Sequence, residues 1–135
     1  MLVQYGVIPW RRRRGGDIEI LLITSRETRR WVVPRGNPIP GLRKHEAAAQ
    51  EAYEEAGIRG AVQPEAIGTY RYEKRRRDGG SVPAEVELFR MAVAEECAAW
   101  PERGERERRW FAPDEAAAAV DEPDLAALIR AVIKV

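Results

Sequence analysis

The segment Pro34–Leu42 (PRGNPIPGL) places three prolines and two glycines in nine residues and runs almost directly into a helix-patterned stretch that stops at Gly57. Proline fixes φ and glycine admits φ > 0, so a loop of this composition is stiff and takes a specific shape. The spacing behind it predicts a helix over 45–56, with Gly57 as the left-handed residue past its end and Ile58 following. The other elements have to be arranged around this rigid loop and helix.

Ahead of the loop, Gln4–Trp10 reads as a strand and Arg11–Asp17, with Gly15-Gly16, as the turn of a hairpin. Ile18–Thr24 (IEILLIT) is the most apolar short run and is expected as a buried strand. The polar stretch Ser25–Arg30 leads to Trp31–Val33, a short strand stopped by Pro34. Beyond the helix, strands are expected at Ala66–Tyr72 and Val82–Ala94, separated by the basic turn Glu73–Gly80. Residues 95–109 read as loop with a helical turn, Trp110-Phe111 as a brief apolar segment. Helices follow at Asp114–Val120 and Pro123–Lys134, the last with Leu125, Leu128, Ile129 and Val132 on one stripe.

The chemistry begins on the helix of 45–56. At about 100° per residue, Glu51, Glu54 and Glu55 share an arc of roughly 100°. Ala49, Ala52, Tyr53 and Ala56 fall on the opposite face and are expected to pack on a sheet. Within the helix no Lys or Arg stands three or four residues from any of the three glutamates. Like charges at those spacings repel, and Glu54 and Glu55 lie against the negative end of the helix dipole. The face is either simply solvated or held together by a hard divalent cation, which takes carboxylate oxygens.

Other classes drop out on composition. Cys97 is the only cysteine and His45 the only histidine, which excludes a disulfide framework, a multi-cysteine zinc site and His-pair metal sites. No apolar run approaches the roughly 18 residues of a membrane span. A short strand followed by four arginines is the wrong order for a secretory signal, so a cytoplasmic protein of one domain, residues 1–135, is expected. The net charge of +1 conceals a basic first third: residues 1–44 carry ten Arg or Lys against three acids. Twenty of the 23 basic residues are arginine, the planar fork suited to phosphate and carboxylate.

The whole segment 36–58 resembles the Nudix box, whose pattern is G-x5-E-x7-R-E-U-x-E-E-x-G-U with U aliphatic. Gly36, Glu51, Glu54, Glu55, Gly57 and Ile58 stand at its offsets. TSRETRRWVVPRG (24–36) and RERRWFAPDEAA (106–117) are similar to the diphosphoinositol polyphosphate phosphohydrolase branch of that family. The resemblance implies an α/β/α sandwich around a mixed β-sheet, an α+β arrangement with the box as a loop-helix-loop. It also implies hydrolysis of a pyrophosphate bond in a diphosphoinositol polyphosphate or dinucleoside polyphosphate, using Mg²⁺ or Mn²⁺. Glu51, Glu54 and Glu55 would then be catalytic and, with Gly36, hold the metal. Ser25, Arg26, Arg35 and Arg106 would bind the small-molecule polyphosphate.

Two positions depart from the pattern. Leu42 stands where the first glutamate belongs and Gln50 where the arginine belongs. Gln50 can hydrogen-bond a carboxylate one turn on but cannot neutralise it, and Leu42 can do neither. Glu85 or Glu87 could replace the missing ligand, and the basic turns Arg11–Arg14 and Lys74–Arg77 could lie at the mouth of the cleft. His45 is read as a surface residue and the tryptophans at 10, 31, 100 and 110 as packing. Two alternatives stand beside the main reading: a nucleoside triphosphate or RNA 5′ pyrophosphohydrolase, with no other nucleic-acid role and no membrane, and a Nudix fold that binds a polyphosphate without turning it over.

Overall fold

A computed structural model describes residues 1–132. The elements run β1 (Leu2–Arg12), β2 (Ile18–Thr24), β3 (Trp31–Val32), β4 (Arg35–Gly36), α1 (Lys44–Ala56), β5 (Ile58–Arg75), β6 (Ser81–Glu96), β7 (Arg108–Phe111), α2 (Pro113–Ala119) and α3 (Pro123–Val132). One mixed sheet carries the strands in the order β3-β2-β1-β6-β5, with β4 also paired to β1 and β7 to β2. β1 and β6 run parallel from Leu2↔Ala84 to Trp10↔Ala92, and the other pairs are antiparallel.

IEILLIT is apolar throughout because both faces of its strand are covered. Ile20 and Leu22 join Ile8, Val86 and Leu88 beneath α2 and α3, where Leu125 and Ile129 are fully buried. Leu21 and Ile23 turn the other way, toward Phe89, Met91 and the alanines of α1. The layers are therefore helix, sheet, helix, as the sandwich reading expected. No helix among the described residues is long and apolar enough to cross a membrane.

α1 begins at Lys44, where the Glu46 carboxylate accepts the Arg43 backbone N–H at 2.8 Å. It ends at Gly57, whose φ of 65° lets its N–H return to the Tyr53 carbonyl at 3.0 Å. The face that packs on the sheet differs from the expected one. Ala47, Ala48, Ala52, Glu55 and Ala56 are buried, while Ala49 and Tyr53 are only half-buried. The stripe 48, 52, 55 lies on the sheet, so Glu55 points inward rather than sharing a solvated face.

Three further expectations change. The stiff loop contains a strand, since Tyr5↔Gly36 and Gly6↔Arg35 pair β4 to β1. β5 starts at Ile58 rather than 66, because bulges at Arg59/Gly60 and Val62/Ala66 absorb Gly60 and Pro64 while it pairs with a longer β6. Arg108 and Arg109 are strand, not loop, paired to Ile23 and Leu22. The last residues of the helix expected over 123–134 lie outside the described residues.

Candidate functional site

The stiff loop meets α1 at Gly36. A Cβ there would fall on the Glu51 carboxylate, so glycine lets the backbone and that carboxylate meet in this arrangement, and any larger residue would push the carboxylate aside. One residue earlier, the Arg35 backbone N–H donates to Glu55 Oε1 at 3.1 Å. Burial pushes the Glu55 carboxyl up to about 8; Arg106 and the Arg35 N–H oppose this, while Glu51 and Glu102 add to it. Burial also raises Glu51, with Glu54 and Glu102 adding to it. Glu51 and Glu55 perturb one another: the Glu51 charge adds to the rise at Glu55, and the Glu55 side chain partly offsets the rise at Glu51. Glu54 is turned to its own helix, where Gln50 Nε2 donates to its Oε2 at 2.8 Å.

The segment 97–108 is fastened to the end of α1 that carries these groups. Arg108 donates to the carbonyls of Ala56 at 2.9 Å, Gly57 at 3.1 Å and Cys97 at 3.0 Å, and its guanidinium lies 4.0 Å from the Trp100 ring. Trp100 in turn covers Gly57 so closely that no Cβ would fit. The Glu102 N–H donates to the Glu54 carbonyl at 3.0 Å. These contacts satisfy helix-end carbonyls that α1, with no basic residue in its last turn, leaves open. They also bring Arg106 to the site, where Nη2 lies 3.7 Å from Glu55 and Nε donates to Glu102 at 2.9 Å.

Beside Glu55 opens a cleft of about 300 Å³ lined by Ser25, Arg26, Arg35 and Arg106, and also by Arg30, Lys74 and Arg75. All four residues expected to bind substrate thus share one wall system with Glu55. Arg35 is held over the Tyr72 ring at 3.7 Å and donates to the Tyr70 hydroxyl at 2.7 Å. Arg26 is paired with Glu105 at 3.2 Å. The Ser25 hydroxyl, by contrast, lies 2.5 Å from that of Thr28 and accepts the Arg30 N–H at 3.2 Å, closing its own loop.

A family model described as NUDIX domain matches residues 3–132. The chain belongs to the Nudix family. It is 31% identical over 114 residues to Nudix hydrolase 21, chloroplastic, of Arabidopsis thaliana, covering 82% of this chain and 56% of that protein. It is also 31% identical over 101 residues to diphosphoinositol polyphosphate phosphohydrolase 3-alpha of Mus musculus, covering 73% of this chain and 57% of that protein. The chain spans about half the length of the curated relatives it matches. Among solved structures, a C. elegans Ap4A hydrolase binary complex superposes with a TM-score of 0.71 at 22% identity, over 96% of this chain and 93% of that one. The NUDIX domain of Shewanella oneidensis NrtR complexed with ADP ribose gives 0.71 at 10% identity, over 98% and 88%. Both likenesses are of fold.

In this Nudix domain the box residues Gly36, Glu51 and Glu55 converge, while Glu54 pairs with Gln50. Among the described residues no three acidic, histidine or cysteine side chains form a ready-made metal shell. The donor set still fits a hard divalent cation. It is all oxygen, and the burial and neighbouring carboxylates that raise both Glu51 and Glu55 are what a bound cation would offset.

Several expected residues lie elsewhere. Glu85 pairs with Arg71 and Glu87 with Lys44, each at 3.2 Å, and among the described residues neither joins a three-carboxylate cluster; Leu42 is 43% exposed. The turn Arg11–Arg14 is not at the cleft mouth: Arg11 bonds Glu19 and Glu96 and stacks on Trp110, and Arg13 pairs with Glu19. The turn Lys74–Arg77 is there, through Lys74 and Arg75. His45 is half-buried and tilted against Phe89 rather than free on the surface. No tryptophan lines the cleft. Sequence reading missed Arg30 and Glu102; the first sits in a polar loop and the second in a turn without periodicity.

Proposed function

We propose that this Nudix domain is a pyrophosphohydrolase for a small, phosphate-rich molecule of the diphosphoinositol or dinucleoside polyphosphate type. The observation that carries the reading is the cleft itself. Arg26, Arg30, Arg35, Lys74, Arg75 and Arg106 line it, and the buried Glu55 stands beside them. Its one aromatic side chain is Tyr72, whose ring is already covered by Arg35. Cations without an open aromatic face suit phosphate groups better than a stacked base, which favours the diphosphoinositol type.

Glu51, Glu54 and Glu55, with the Gly36 backbone, are the residues that would hold Mg²⁺ or Mn²⁺. Such an ion cancels phosphate charge and acidifies the attacking water. The protein's own groups do the rest. Arg26, Arg35 and Arg106 bind and orient the phosphates, fixing the scissile bond beside the carboxylates. Glu51 and Glu55, both raised by burial beside the cleft, offer a site where the water's proton can be received.

A second reading has its own observation. Leu42 faces solvent and Gln50 contributes no charge to Glu54, so two parts of the box are absent. In that reading the domain binds a polyphosphate without cleaving it. The deciding experiment is a phosphate-release screen with Mg²⁺ and with Mn²⁺ over diphosphoinositol polyphosphates, dinucleoside polyphosphates, nucleoside triphosphates and capped or triphosphorylated RNA. Turnover of the first two classes supports the proposal. Tight binding with no turnover of any class supports the second reading.

A further inference from the structure

Resting on the cleft reading above, we propose that Arg30 is a phosphate-binding, specificity-setting residue, and that Glu122, in the turn between α2 and α3, is the positioning residue that aims it. Arg30 Nη1 donates to Glu122 Oε2 at 2.9 Å and lies 3.5 Å from Asp121. Both contacts use the same nitrogen; Nε and Nη2 have no acceptor among the described residues. A guanidinium pinned at one corner keeps a free edge, which is the edge that grips a phosphate with two parallel hydrogen bonds. Arg30 lines the cleft and its side chain remains 27% exposed, which leaves the guanidinium within reach of a ligand there.

The backbone holds Arg30 as firmly as the side chain does. Arg29 sits at φ 56°, a left-handed conformation uncommon for a residue other than glycine. Ser25 then closes the loop from both sides: its N–H donates to the Arg30 carbonyl at 2.8 Å, and its hydroxyl accepts the Arg30 N–H at 3.2 Å. Ser25, expected from sequence as a phosphate contact and lining the cleft, also holds the Arg30 backbone.

Glu122 is buried, and its Oε1 has no hydrogen-bond partner. A carboxylate in that condition is costly unless a cation stays on its other oxygen, so it holds Arg30 in one rotamer. Asp121, with a side chain 71% exposed, adds little. The ligand class that uses this arrangement carries a further phosphate group beyond the bond to be cleaved.

The test exploits a conflict of signs. Removing a negative charge beside an anion site should tighten anion binding by Coulomb's law; removing a positioning residue should weaken it. Binding of inorganic tripolyphosphate is measured calorimetrically with chelator present, for wild type, Glu122→Gln, Arg30→Gln, Arg30→Lys and the double variant Arg30→Gln/Glu122→Gln. Gln at 30 can still hydrogen-bond Glu122, which keeps the variant folded, and melting curves check this. Expected are a loss of about tenfold for Arg30→Gln, a smaller loss for Arg30→Lys, and a loss of several-fold for Glu122→Gln. The double variant should bind no worse than Arg30→Gln, because Glu122 acts only through Arg30. Equal or tighter binding by Glu122→Gln, unchanged binding by Arg30→Gln, or additive losses in the double variant each overturn the inference. Wild-type protein that binds no tripolyphosphate also overturns it; wild type that binds the probe but hydrolyses nothing overturns the hydrolase reading alone.

Discussion

Gln50 donates to Glu54 across one turn of α1 at 2.8 Å, in the place where the Nudix box carries an arginine. The amide satisfies a carboxylate oxygen and leaves its charge untouched. Glu51, Glu54 and Glu55 therefore crowd one end of a helix that has no basic residue in its last turn. Restoring the charge with Gln50→Arg, together with Leu42→Glu, should speed hydrolysis. A tenfold gain in kcat/KM needs only about 1.4 kcal/mol off the barrier. A slower double variant would mean that the site is built around Leu42 and Gln50.

In metal-free protein, Glu55 makes stability fall as pH rises. Burial raises its carboxyl from 4.5 to about 8, so between those values the folded state keeps a proton that the unfolded state has released. The folded form is favoured most below the lower value and loses that advantage by the upper one. Urea denaturation in chelator at pH 5, 7 and 8.5 should show this decline, and Glu55→Gln should flatten it. The same slope in both proteins would remove Glu55 as its source.

Gly36→Ala puts a methyl group where the Glu51 carboxylate lies. The carboxylate ends a flexible side chain and can swing aside, so the loss read from denaturation midpoints should be small, about 1 kcal/mol or less, and the main effect should fall on the ion. The rise in melting temperature expected on adding Mn²⁺ to wild type should disappear in the variant. Glu51→Ala in the same background should recover stability without recovering the response to the ion.

The two basic turns should behave differently. Lys74→Ala and Arg75→Ala should each weaken tripolyphosphate binding a few-fold and flatten its salt dependence, because both residues line the cleft. Arg12→Ala and Arg13→Ala should change neither quantity. Arg12 bonds the Gly16 carbonyl and Arg13 pairs with Glu19, away from the cleft.

Arg108→Lys keeps the charge but loses the fork that reaches the carbonyls of Ala56, Gly57 and Cys97. Stranding part of that set should cost about 1–3 kcal/mol in urea denaturation. Arg108→Ala, which also uncovers Trp100, should cost more.

What could be read from the chain was what local physics decides. IEILLIT announced a strand covered on both faces, Gly57 the end of α1, and the spacing from Gly36 to Ile58 the family. Arg26, Arg35 and Arg106 were expected together from the resemblance alone, and they line one cleft. Glu55 was misplaced because a helical wheel gives angles between residues but not which face the sheet will take. The first eight residues of β5 escaped notice since Gly60 and Pro64 argue against a strand until a long partner and two bulges accommodate them. Arg30 and Glu122 are 92 residues apart and meet only through tertiary packing. Glu102 reaches Arg106 and the box carboxylates only because Trp100 and Arg108 dock its turn on α1.

That docking bears on how the box can be moved. As sequence it is a portable cassette of 23 residues, Gly36 to Ile58. As an object it is not, because the end of its helix is completed from outside, by Cys97, Glu102 and Arg108. A graft of the cassette into a foreign scaffold would arrive with its last carbonyls open and its carboxylates unaimed. The transplantable unit is the box together with 97–108, two stretches of chain inherited as one part.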